Sequence, residues 1–187
     1  FGLKKISIND YKENFCFPVS DYYKHLGFSL STKEFEQISA DFINKYKKVM
    51  FSPSLVPGVK NLLLLFYSLG CRQAVLSAQE QSLLDRSINY YGLGFLFFSV
   101  CGLKNTLAES KELLAHSLYN KYCSNKDLLI VIGDTLHDFE VAQSIGARCC
   151  LVSYGHNSMK MLKTSGAFVA QSVDDVYTFI QNFLVLR

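Results

Sequence analysis

From residue 53 onward the chain alternates between helical periodicity and short apolar runs, a rhythm that suits a parallel sheet covered by helices and little else. Pro57-Gly58 opens a helix that runs through Leu62, Leu63, Leu64 and Leu65 and stops near Gly70, and Ala74-Val75-Leu76 follows as a buried strand. The same reading predicts a helix over 81–90, a strand near 97–100, a helix over 111–122 and a strong strand over 128–132. Next come a helix over 139–145, a strand over 149–152, a short helix after His156, an apolar Phe168-Val169 and a last helix over 174–183. The expected class is α/β, a Rossmann-like parallel sheet with helices on both faces.

Residues 1–50 lack a strong strand signal. Ser31-Thr32-Lys33-Glu34 has the form of a capping box, and Phe35, Ile38, Phe42, Tyr46 and Val49 follow at helical spacing, so an amphipathic helix is predicted over 32–50. Shorter helices are predicted over 9–14 and 19–26, the second closed by Gly27. The expected organisation is a small helical cap over 1–52 and an α/β core over 53–187.

The chain has 187 residues, 49% of them hydrophobic and 19% charged, which suits one packed core and excludes a disordered chain. The net charge of +3 comes from scattered Lys and Arg, so no nucleic-acid partner is expected. The longest apolar run, 62–67, falls far short of the roughly 20 residues of a membrane helix, and no signal-peptide pattern opens the chain. A cytoplasmic protein without a membrane partner is expected. None of the six cysteines, Cys16, Cys71, Cys101, Cys123, Cys149 and Cys150, sits at CxxC spacing, and reduced thiols packed as small hydrophobes are expected.

In open parallel sheets, ligands sit at the carboxyl ends of strands, and three places there hold polar residues suited to chemistry. In Gly133-Asp134-Thr135-Leu136-His137-Asp138 the glycine permits a sharp turn, and the two acids, four apart, can face one point if a helix begins there. Two carboxylates at one point call for a cation, and hard oxygen ligands suit Mg²⁺. The competing reading makes Asp134 or Thr135 a helix cap and Asp138 an exposed first-turn acid. Ser77 ends the first strand, and its hydroxyl with the N–H groups of Ala78 and Gln79 would cradle a phosphate, although a plain turn or capping serine fits the same position. Lys111, in Glu109-Ser110-Lys111-Glu112, puts a cation against the positive end of a helix, which is sensible beside a phosphate, but an ordinary solvated lysine fits as well, and the helix could begin at Thr106.

A serine after one strand, a lysine opening a later helix and Gly-Asp-x-x-x-Asp after the next strand resemble, in that order, motifs two, three and four of the haloacid dehalogenase superfamily. The stretch Ile132-Gly133-Asp134-Thr135-Leu136-His137-Asp138-Phe139-Glu140-Val141-Ala142, with Gly146-Ala147 and Tyr154-Gly155-His156 behind it, resembles the phosphoglycolate phosphatase-like branch, as does the core entry Leu55-Val56-Pro57-Gly58-Val59. The resemblance implies a Mg²⁺-dependent phosphatase that cleaves a small phosphorylated metabolite through an aspartyl-phosphate. It implies that Asp134 and Asp138 serve the metal, that Ser77, with Ala78 and Gln79, binds the phosphate, and that Lys111 balances charge on the nucleophile and the phosphoryl group. Aromatic residues of the cap, Tyr11, Phe17, Tyr22 and Tyr23, would line the substrate entrance or pack as helix cores do.

The family's first motif, an Asp-x-Asp pair at the end of its first strand, precedes the cap, and residues 1–50 hold none. With Phe1 where an initiator Met would stand, the chain is expected to be an N-terminally incomplete copy of an active enzyme. The alternatives are a catalytically inactive binding or regulatory module and a sugar-phosphate mutase on the same scaffold. The absent strand belongs between the one ending at Ser77 and the one ending at Gly133, so unpaired strand edges and poor stability are expected.

Overall fold

The computed structural model describes residues 3–28, 31–103, 111–123 and 129–185. In order, the elements are α1 (Ile8–Asn14), α2 (Val19–His25), α3 (Thr32–Val49), α4 (Val59–Ser68), β1 (Ala74–Glu80), α5 (Gln81–Tyr90), a 3-10 turn (Gly94–Leu96), β2 (Ser99–Leu103), α6 (Lys111–Tyr122), β3 (Ile130–Gly133), α7 (Leu136–Ser144), β4 (Arg148–Val152), α8 (Met159–Lys163), β5 (Phe168–Ala170) and α9 (Val173–Val185). Every strand pairing among the described residues is parallel. The α/β class read from the alternation is the class observed. Leu128, Thr106, Glu109 and Ser110 lie outside the described residues.

Local chemistry explains the ends of several elements. Ser31 and Glu34 form the expected capping box: Ser31 N–H donates to Glu34 at 2.9 Å, and Glu34 N–H donates to Ser31 Oγ at 3.3 Å. A second box starts α1, where Ser7 and Asp10 exchange the same bonds. α7 begins three residues before the predicted start at Phe139, because Thr135 and Asp138 cap it in a way described below.

The chain forms two compact units. One gathers Phe1–Val49, Ile130–Gln143 and Ala147–Arg187. Its sheet has the order β3-β4-β5, with Ile130 opposite Arg148 and Cys150 opposite Phe168. α8 packs on β5 and α9 on β4 and β5, and the core consists of fully buried Val141, Ala142, Cys150, Leu151, Leu162 and Ala170. The other unit gathers Met50–Leu129 and Ser144–Gly146. There β1 pairs with β2, α5 packs on both strands, and α6 packs on β1.

Among the described residues each unit therefore holds its own ladder, one ending at β1 and the other at β3. Among the described residues β1 pairs with β2 alone and β3 with β4 alone. Neither β1 nor β3 contains a fully buried residue, and Ile132 is 48% exposed, whereas the last three residues of β4 are buried. A parallel sheet with both faces covered normally buries its central strands. No helix among the described residues is long and apolar enough to cross a membrane.

The described cysteines are free thiols, and in β4 burial pushes Cys149 and Cys150 from 9.0 up to about 12, with the Asp138 charge adding to the effect on Cys149. Burial, with the Tyr22 and Asp134 charges, likewise raises Tyr11 from 10.0 to about 12. These groups hold their protons more tightly folded than unfolded, so their contribution is complete below the unfolded values and is lost as pH rises through the folded ones. Stability is expected to fall between about pH 9 and about pH 12 in urea titrations, and the fall should be shallower in C149A/C150A.

Candidate active site

β3 ends at Gly133, and the loop to α7 carries Asp134 and Thr135. Thr135 is the residue before the helix, and Asp138 is the third residue within it. Asp138 N–H donates to Thr135 Oγ1 at 3.2 Å, and Asp138 Oδ2 accepts from Thr135 N–H at 2.9 Å, which is a reciprocal capping box with aspartate in place of glutamate. The same Oδ2 accepts from Thr135 Oγ1 at 2.8 Å and from Asp134 N–H at 2.9 Å. Thr135 is thus the cap that the competing reading expected. Asp138, however, is 3% exposed, because its carboxylate folds back under the loop where the backbone donors are.

Asp134 is held differently. Its Oδ2 accepts from His156 N–H at 2.7 Å and its carbonyl accepts from Asn157 N–H at 3.1 Å, while Oδ1 accepts no hydrogen bond from the described residues. Two glycines make room for the two carboxylates. A Cβ on Gly133 would lie inside the Asp138 side chain, and a Cβ on Gly155 would lie inside that of Asp134. Gly133 has no left-handed φ, so close approach rather than a sharp turn requires glycine there.

The loop that holds Asp134 is itself held by the N-terminal helices. Asn157 Nδ2 donates to Phe15 O at 2.8 Å, Tyr11 Oη and His156 Nδ1 share a hydrogen bond of 2.5 Å, and Phe15 stacks on the His156 ring with centroids 4.8 Å apart. Tyr22 packs edge-on against Tyr11 and Phe15, and its buried hydroxyl has no hydrogen-bond partner among the described residues. Phe17 lies 5.1 Å from His137, whose Nδ1 pairs with Glu140, and Tyr23 meets Phe28 and Phe35.

In the second unit, β1 runs on through Ser77 to Glu80. Its pairing with β2 is regular from Ala74 opposite Ser99 to Leu76 opposite Cys101, and resumes at Glu80 opposite Leu103. Ser77, Ala78 and Gln79 therefore face the single residue Gly102 and form a bulge, a feature common beside active sites. Ser77 Oγ accepts from Gln79 N–H at 3.1 Å, which leaves the hydroxyl hydrogen to donate elsewhere. The cap of α5 is Glu80, whose carboxylate accepts from Ser82 N–H at 3.0 Å, so Ser77 is no helix cap. Lys111 is the first residue of α6 and is half-buried. Asp134 and Asp138 thus stand in one unit, at the end of β3 and in the first turn of α7, and Ser77, Ala78, Gln79 and Lys111 belong to the other.

A family model of haloacid dehalogenase-like hydrolases matches residues 1–152. The chain belongs to that family. A search of curated proteins finds no match. Among solved structures, a predicted phosphatase from Clostridium acetobutylicum is 22% identical at a TM-score of 0.75, over 87% of this chain and 76% of its own. A predicted phosphoglycolate phosphatase from Haemophilus somnus is 20% identical at 0.75, over 96% of this chain and 84% of its own. A candidate β-phosphoglucomutase from Thermotoga maritima is 16% identical at 0.63, over 94% and 87%. At these identities the likeness extends to the fold. The haloacid dehalogenase-like match covers the loop of Asp134 and Asp138, the Ser77 bulge and Lys111, and stops before Gly155, His156 and Asn157.

Those three residues, with Thr135, complete the setting of Asp134. Sequence reasoning gave none of them a part in holding that carboxylate. The His156 contribution is a backbone N–H, which any residue could supply, so the only sequence trace of it is Gly155.

Proposed function

We propose that this chain carries most of the site of a Mg²⁺-dependent phosphatase acting on a small phosphorylated metabolite, in the manner of the phosphoglycolate phosphatase-like branch. The observation that carries the proposal is Asp134 itself: it stands at the carboxyl end of a parallel strand, with one oxygen fixed by His156 N–H and the other without a hydrogen bond from the described residues. Among the described residues no group of three or more His, Cys, Asp and Glu could hold a metal ion, and an Mg²⁺ taking one or two carboxylates and otherwise water and phosphate oxygens suits such a site. Asp134 would ligate the ion through Oδ1, and Asp138 would hold the loop that presents it. When bound, the ion neutralises phosphate oxygens.

Ser77 O–H and Ala78 N–H would bind phosphate oxygens at the bulge, Gln79 N–H would hold the Ser77 hydroxyl in place or turn to the phosphate in its stead, and Lys111 would balance the charge of the nucleophile and phosphoryl group. The nucleophile would be the first aspartate of an Asp-x-Asp pair outside these 187 residues, forming an aspartyl-phosphate that water then opens. The second reading is a catalytically inactive binding or regulatory module on the same scaffold.

Joining an Asp-x-Asp strand to the chain and assaying an aryl phosphate with Mg²⁺ separates the two. Turnover is expected to stop with EDTA and to drop by about a thousandfold in D134N. Turnover that ignores both changes would end the proposal, and no turnover with intact Mg²⁺ binding would favour the binding module.

A further inference from the structure

Three polar side chains are buried among the described residues, Thr135, Asp138 and Asn157, and they lie in one knot of hydrogen bonds. The first two form the capping box. Asn157, 2% exposed, has no place in the chemistry above, yet it joins three segments of the chain. Its Oδ1 accepts from Leu136 N–H at 3.0 Å, one of the N–H groups that the first turn of a helix leaves unpaired. Its Nδ2 donates to Phe15 O at 2.8 Å, at the end of α1, and its own N–H donates to Asp134 O at 3.1 Å. The preceding residue supplies the N–H on Asp134 Oδ2, and the residue before that is the glycine pressed against the Asp134 side chain.

We infer that Asn157 is a positioning residue: by tying the 155–158 loop to the start of α7 and to α1, it keeps His156 N–H on Oδ2 of Asp134 and so turns Oδ1 outward. Its consequence for metal affinity rests on the reading of Asp134 as a ligand, whereas its consequence for the loop does not. A side-chain amide suits the place because both of its ends are used, the oxygen as acceptor and the nitrogen as donor. Aspartate would keep the acceptor for Leu136 but would set a carboxylate against the Phe15 carbonyl, and alanine would take away the partner of the part-buried Leu136 N–H and of the buried Phe15 carbonyl.

The test compares N157A, N157D and the control K160A in the full chain, by amide hydrogen exchange and by Mg²⁺ titration calorimetry. Lys160, in α8, pairs with Glu13 of α1 but makes no bond to Asn157. In N157A, exchange of the His156 amide is expected to accelerate at least about tenfold relative to Leu151 and Val152 of β4, and the Mg²⁺ dissociation constant to rise about tenfold, as it does when groups behind a metal ligand are removed. N157D should fall between N157A and the parent, and K160A should match the parent. Unchanged His156 exchange in N157A overturns the inference, and so does equal acceleration throughout β4, which would mark a merely structural residue. Should the parent chain bind no Mg²⁺, the metal reading of Asp134 fails, and the exchange comparison still decides the role of Asn157.

Discussion

Replacing Asp138 with alanine is expected to cost the chain about 3–5 kcal/mol of stability, since each donor left without its acceptor costs about 1–3 kcal/mol. Its Oδ2 satisfies two backbone N–H groups and one hydroxyl, and Thr135, which offers two of these donors, is 4% exposed, so water is a poor substitute. D138N keeps an amide oxygen for the same donors but loses the charge that strengthens those bonds, and should cost about 1–2 kcal/mol. D134N should show the opposite profile. It keeps an acceptor for His156 N–H in an exposed loop and should leave stability within about 1 kcal/mol of the parent, while abolishing Mg²⁺ binding. Urea unfolding and metal titration of the three variants test the division of labour. A D138A chain as stable as the parent, or a D134N chain that still binds Mg²⁺ normally, would refute it.

Both acids are legible in the sequence, and the difference between them is not. The Gly133-Asp134-x-x-x-Asp138 spacing after an apolar run was enough to single out both acids, because strand-end position and helical periodicity are local properties of sequence. Spacing was insufficient to tell the two acids apart. Asp138 is buried because it caps its own helix, which the pair Thr135 and Asp138 foreshadows, while the partner of Asp134 comes from 22 residues away through a backbone N–H. Likewise Ser77 stands out as a hydroxyl after a strand, but the bulge in which it sits depends on the pairing of β1 with β2, a contact between segments remote in sequence. Strand bounds drifted for the same reason. The predicted strand at 97–100 is observed at Ser99–Leu103, since ladder partners rather than apolar content decide where a strand begins and ends.

The open strand edges carry the second large prediction. β1 and β3 each have one edge without a ladder partner among the described residues, and Ile132 in the middle of β3 is half exposed although its neighbour β4 is buried. Open edges of this kind pair with other chains, so the 187-residue chain is expected to self-associate at micromolar concentration in sedimentation experiments. An added apolar strand that ends in Asp-x-Asp and pairs with the open edge of β3 would complete about four ladder hydrogen bonds at about 1 kcal/mol each, and would cover exposed residues of that strand as well. At about 2–4 °C per kcal/mol for a chain of this size, the melting temperature should rise by at least about 10 °C and association should be suppressed. A strand of the same length broken by two prolines should do neither, because proline cannot donate to a ladder. If the unextended chain is monomeric with a single cooperative melt that the added strand does not raise, then the edge of β3 needs no partner, and the nucleophile must be sought somewhere other than on a strand beside it.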